Sequence, residues 1–100
     1  MNIAEHESSK RMHAFVLLRA RYGLAASVAE AARSLQGVVN ADVVLEGQYD
    51  VIVDLRSPNM AAFEKAVRWI TNCPGVECAE TCVSGLSNRD MMTYAYGMQG

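Results

Sequence analysis

Apolar residues along this chain change their spacing repeatedly, and each change marks an element. From His13 to Ala20 the sequence is apolar at every position from Ala14 to Leu18, the pattern of a central strand covered on both faces. Tyr22-Gly23 breaks it. From Leu24 the spacing lengthens: Leu24, Val28, Ala31, Ala32 and Leu35 lie on one helical stripe, with Glu30 and Arg33 off it and Gly37 placed as a C-terminal stop. Two runs rich in β-branched residues follow, Val38 to Glu46 and Val51 to Arg56, which read as paired strands. The turn Gly47-Gln48-Tyr49-Asp50 joins them. Gly47 supplies the positive φ of a tight turn, while Tyr49 and Asp50 begin the return strand on opposite faces, so that one of them points inward. Ser57-Pro58-Asn59 is a turn and a helix N-terminal cap, after which Met60, Phe63, Val67 and Ile70, with Ala66 beside them, recur at steps of three and four. Asn72-Cys73-Pro74-Gly75 stops this second helix. In the last strand, Val76 to Gly85, Val76, Cys78, Glu80, Cys82 and Ser84 share one face and Glu77, Ala79, Thr81 and Val83 the other.

The order βαββαβ consists of two strand-helix-strand halves. Right-handed crossovers then predict an antiparallel sheet of order 4-1-3-2, the ferredoxin-like α+β fold with both helices on one face. The other face carries either Phe15 and Leu17 or Ala14, Val16 and Leu18, too apolar a set for water. A second copy of the sheet is the simplest cover, giving a dimeric α/β sandwich. The expected organisation is a flexible N-terminus over 1–12, a folded domain over 13–85 and a tail over 86–100. The tail, with Met91, Met92, Tyr94, Tyr96 and Met98, reads either as a disordered extension or as a segment that docks on a neighbouring subunit.

Composition sharpens this picture. One hundred residues, 51% hydrophobic and 20% charged, describe one core and no disorder-prone bulk. A chain this small buries only about two-thirds of its unfolded surface, so a partner subunit adds stability that the monomer lacks. Nine basic against eleven acidic residues give a net charge of −2, and no basic cluster supplies a footprint for direct nucleic-acid binding. No apolar run approaches the ~20 residues of a membrane helix, and the first dozen residues lack the apolar segment of a secretory signal; a cytoplasmic location is expected. Cys73, Cys78 and Cys82 match no metal or redox spacing, and the last two lie roughly 13 Å apart along a strand, beyond disulfide reach. All three read as reduced and mostly buried. His13 reads as an edge residue with no catalytic arrangement beside it, and nothing points to a metal or cofactor.

Val38-Val39, the Gly47-Gln48-Tyr49-Asp50 turn with Val51-Ile52-Val53, the stretch Phe63 to Ile70, Pro74-Gly75-Val76 and Glu80-Thr81 together resemble the regulatory domain of the Lrp/AsnC family, called the RAM domain. The resemblance covers roughly residues 13 to 85. It implies sheet-to-sheet dimers, often four of them in an octameric ring, and an amino acid or similar small effector bound between dimers near the hairpin. Gly47, Tyr49 and Asp50 match that motif, with Thr81 and Ser84 on the last strand as weaker candidates. The chemistry fits: Asp50 accepts from a ligand ammonium, and backbone N–H groups near Gly47 or the hydroxyls of Thr81 and Ser84 donate to its carboxylate. Family regulators carry a helix-turn-helix ahead of this domain, and too few residues precede the first strand here for one. The expected function is therefore a stand-alone effector-binding and oligomerisation domain without catalytic activity, which reaches DNA only through full-length relatives. A purely structural oligomerisation module is the alternative. A small dimeric enzyme is another, for which His13 and Asp54 are the sole acid/base candidates, without a third partner.

Overall fold

The computed structural model describes residues 11–84. Its elements are β1 (Met12–Ala20), α1 (Ala25–Arg33), β2 (Val38–Val43), β3 (Val51–Ser57), α2 (Met60–Thr71) and β4 (Val76–Ser84). The strands form one antiparallel sheet in the order β2-β3-β1-β4, which is 4-1-3-2 read from the opposite edge. The fold is therefore the ferredoxin-like α+β arrangement. Met12, placed in the N-terminal segment by the sequence pattern, belongs to β1; the tail over 86–100 lies outside the described residues. None of the described helices is long and apolar enough to cross a membrane.

Directly paired residues of neighbouring strands share a face, so the register assigns each side chain to a side. Ala14, Val16 and Leu18 of β1 pair with Leu55, Val53 and Val51 of β3, and all six are fully buried. Val28, Ala29 and Ala32 of α1 and Phe63, Ala66 and Ile70 of α2 close over them as one core. Phe15 and Leu17, paired with Asp54 and Ile52, occupy the side that neither helix covers. They are half-buried.

Local chemistry explains where the elements end. The Asn59 side chain accepts the Ala62 N–H at 2.9 Å, satisfying one of the orphan donors of the first turn of α2. Counting back from Ile70 through Ala66 and Phe63, the stripe falls on Asn59 itself, which leaves Met60 on the exposed side rather than in the core. Gly37 lies three residues past the Ser34 cap of α1 and does more than stop a helix. Its φ is +98, its carbonyl accepts the Arg56 N–H at 2.8 Å, and a Cβ there would stand 2.9 Å from Arg56 O. Only glycine lets this connection lie against the end of β3.

Two further expectations are corrected. β2 ends at Val43 instead of reaching Glu46, and residues 44–50 form a loop in place of a tight turn. The Val44 N–H still reaches Asp50 O at 2.8 Å, but the Asp50 N–H is given to Leu18 O at 2.8 Å on β1. That second bond extends the β1–β3 pairing by one step, and the intervening loop leaves Leu45 92% exposed. Of the cysteines, Cys73 is buried and Cys82 half-buried, whereas Cys78 is exposed, because β4 is an edge strand and Cys78 sits on its helix-free side. The Cys82 thiol is pushed up from its ordinary value, first by burial and then by the Glu80 charge, and so stays protonated at neutral pH.

Candidate functional site

The loop over 44–50 is fastened to the end of the sheet by three side chains. Asp50 Oδ2 accepts the Ala20 N–H at 2.8 Å, where the β1–β4 register shifts between Arg19 and Ala20. Ala20 lies past the last β1–β3 pair, Leu18 with Val51, so its N–H has no ladder partner on that side, and the carboxylate takes it up. Arg19 donates through Nη2 and Nε to Gln48 O at 3.0 and 3.3 Å. Tyr49 donates its hydroxyl to Glu80 Oε1 at 2.9 Å. Arg19 and Glu80 both belong to the helix-free side of the sheet, since Arg19 pairs with Cys78 and Glu80 with Leu17.

These contacts set the electrostatics. Glu80 accepts the Tyr49 hydrogen bond and so holds the phenol above its ordinary value, with burial and the Glu80 charge acting in the same direction and the Arg19 charge opposing them. Tyr49 therefore remains a donor across the neutral range. Gly47, at φ +127, has no atom within 4 Å of where a Cβ would stand. The positive φ expected from the sequence is present, and the backbone there is open to approach. The loop end thus gathers two carboxylates, a guanidinium, a phenol and bare backbone: acceptors for a cation and donors for an anion within one patch.

Thr81 and Ser84 stand apart from this patch. Thr81 pairs with Val16 and lies on the helix side of the sheet, while Ser84 pairs with His13 at the opposite end of β4. Four residues separate Ser84 from Glu80, roughly 13 Å of strand. Arg19 and Glu80, which sequence reasoning did not select, are nearer the loop than either. Their signal was faint: strand alternation places both on the side of Cys78, at the end where the loop closes.

A second polar cluster lies on the same side of the sheet. His13, expected at an edge with no suggestive partner, is on a central strand and donates from Nε2 to Asp54 Oδ1 at 2.9 Å. Arg56 Nε is 3.7 Å from the same oxygen, and the His13 and Phe15 rings are 5.2 Å apart. The side chains of His13 and Asp54 retain only 16% and 21% exposure. The sequence concealed the pair because it is diagonal: His13 faces Arg56 and Phe15 faces Asp54 across the strands.

No protein-family model matches the chain, and no curated protein matches it. Solved structures do. TTHA0845 from Thermus thermophilus aligns with a TM-score of 0.70 at 28% identity, over 76% of this chain and 95% of that one. AsnC of E. coli aligns at 0.68 and 13% identity, over 88% of this chain and 58% of that one. The transcriptional regulator NMB0573 from Neisseria meningitidis, solved as its complex with L-Met, aligns at 0.64 and 19% identity, over 88% and 56%. The chain spans little more than half the length of these two regulators. It has the fold of the Lrp/AsnC regulatory domain, the domain that its Gly47-to-Asp50 and Pro74-Gly75-Val76 motifs resemble.

Proposed function

We propose that this chain is a small-effector-binding and oligomerisation domain that takes an amino acid at the loop end of its sheet and has no catalytic activity. The observation that carries the reading is the meeting of Asp50, Tyr49, Arg19 and Glu80 around an open glycine backbone. Asp50 has one oxygen on Ala20 and presents the other to a ligand ammonium; Arg19 and backbone N–H groups near Gly47 receive the ligand carboxylate. The L-Met held by NMB0573 supports the ligand class, and the regulators among the structural neighbours support a non-enzymatic role. The helix-free side of the sheet, with Phe15, Leu17 and Ile52 at its centre, pairs with a second copy. The exposed Leu45 at the loop tip contacts a further dimer, up to a ring of four dimers. Thr81 and Ser84 enter the effector site only as residues of such neighbouring copies.

In this reading the domain binds no DNA by itself and influences transcription by assembling with full-length relatives. The match to TTHA0845 takes in 95% of that chain, so a fold like this one makes up nearly the whole of that protein. The test is a thermal-shift screen of the twenty amino acids, with the mass followed by light scattering. An effector at a hundred times its Kd adds about 2.7 kcal/mol. Stabilisation by one amino acid that Asp50→Asn abolishes supports the site; oligomers without any stabilising ligand favour the purely structural module. A mobility-shift titration at low salt should yield only weak, non-specific association.

A further inference from the structure

The helix layer holds a feature that the loop end does not use. Trp69, the only tryptophan in the chain, stands 44% exposed on α2 and forms a shared wall of two adjoining grooves. One, of about 460 Å³, lies between α2 and the α1–β2 connection, with Leu35, Pro58 and Ala62 in its lining. The other, of about 410 Å³, extends past Arg68 toward Pro74. Lys65 lines both. The first is the more enclosed, and its volume falls within the range of about 300–1,000 Å³ typical of small-molecule sites; the second is a shallower extension of it. Neither lining includes an Asp or Glu, although acids outnumber bases in the chain. Among the described residues, no ion pair engages Lys65 or Arg68.

We propose that this groove binds a small aryl carboxylate that carries no amino group. The indole of Trp69 offers a face or edge to an aromatic ring, Leu35, Pro58 and Ala62 supply the apolar surround, and Lys65 meets the carboxylate where the two grooves join. Arg68 adds a second positive charge on the Pro74 side. An α-amino acid of the same side chain brings an ammonium into this positive field, with no carboxylate in the lining to receive it. The groove therefore selects the deaminated acid over the amino acid. It shares no residue with the loop end, and the proposal stands independently of the effector reading.

Trp69 reports on its own groove. Titration of the full chain with phenylacetate, under selective tryptophan excitation, is expected to give a saturable change in emission. L-phenylalanine and phenethylamine are expected to need roughly tenfold more ligand or to show no saturation. Lys65→Gln, an exposed substitution that leaves the core intact, should weaken phenylacetate about fivefold without moving Tm, and adding Arg68→Gln should weaken it further. Equal affinity for phenylacetate and phenethylamine overturns the proposal, since the groove would then be apolar without charge selection. So does an emission that ignores phenylacetate to its solubility limit. An emission that instead changes on protein dilution overturns it in favour of a second copy of the chain seated on Trp69.

Discussion

The two sides of this sheet are built from the same strands by alternation, yet they differ in kind. On the helix side, Ala14, Val16, Leu18, Val51, Val53 and Leu55 are wholly withdrawn from water and carry no polar group among them. On the other side, Phe15, Leu17 and Ile52 are only half-covered, and they are framed by His13, Asp54 and Arg56 toward one end and by Arg19 and Glu80 toward the other. The first side is a finished core. The second resembles an interface, an apolar centre with a polar rim whose charges fix register and partner. A side chain's position in the alternation therefore says whether its loss should unfold the chain or separate its copies.

The largest effect belongs to the core. Leu55→Ala removes a fully buried side chain from beneath the helix layer, and urea denaturation should show a loss of about 2–5 kcal/mol with an unchanged m-value. Phe15→Glu, one pleat away on the other side, should leave the monomer fold intact by circular dichroism while halving the mass seen in sedimentation. The comparison breaks if Phe15→Glu unfolds the chain outright, or if the wild-type chain is monomeric at micromolar concentration. In the first case the helix-free side would be part of the folding core; in the second it would tolerate water.

Much of this division was legible in the residues. Steps of three and four from Phe63 to Ile70 located α2, Asn59 announced its cap, and the two β-branched runs located β2 and β3. What alternation left open was the face: nothing in Ala14-Phe15-Val16-Leu17-Leu18 says which members meet the helices. The register with β3 decides it. The loop end was the harder part, because Asp50 bonds to β1, thirty positions earlier in the chain. A turn read from neighbouring residues alone cannot anticipate a carboxylate that serves as a long-range acceptor for another strand. The same holds for Tyr49 with Glu80 and His13 with Asp54, pairs made only when distant strands come side by side.

Asp50 tests whether the loop end is held by the fold or held open for a ligand. Asp50→Ala leaves the Ala20 N–H without its acceptor at a partly buried position, and chemical denaturation should register a loss of about 1–2 kcal/mol. Asp50→Asn keeps an acceptor oxygen and should recover most of that loss. A full loss in Asp50→Asn would mean that the negative charge itself, set against Arg19 and the strand-end amides, holds the loop. Full stability in both variants would separate Asp50 from the fold and leave ligand binding as its role.

The smallest effect concerns Tyr49, and it is visible only through pH. Its phenol is held above the ordinary value of 10.0 chiefly because Glu80 accepts its hydrogen bond. A group whose pKa is higher in the folded than in the unfolded chain contributes stability that is fully present below the unfolded value and is lost as pH rises through the folded one. Thermal denaturation from pH 8 to 11 should therefore reveal an alkaline decline beginning near pH 10 that is shallower in Tyr49→Phe, with the two proteins parallel below pH 9. Glu80→Gln should reduce the same difference, because an amide oxygen accepts the phenol proton without a negative charge opposing its loss. Identical profiles in all three proteins would show that the Tyr49–Glu80 bond does not persist in solution. The loop end would then be fastened by Asp50 and Arg19 alone, and the helix-free side would have one fewer constraint than the core beneath it.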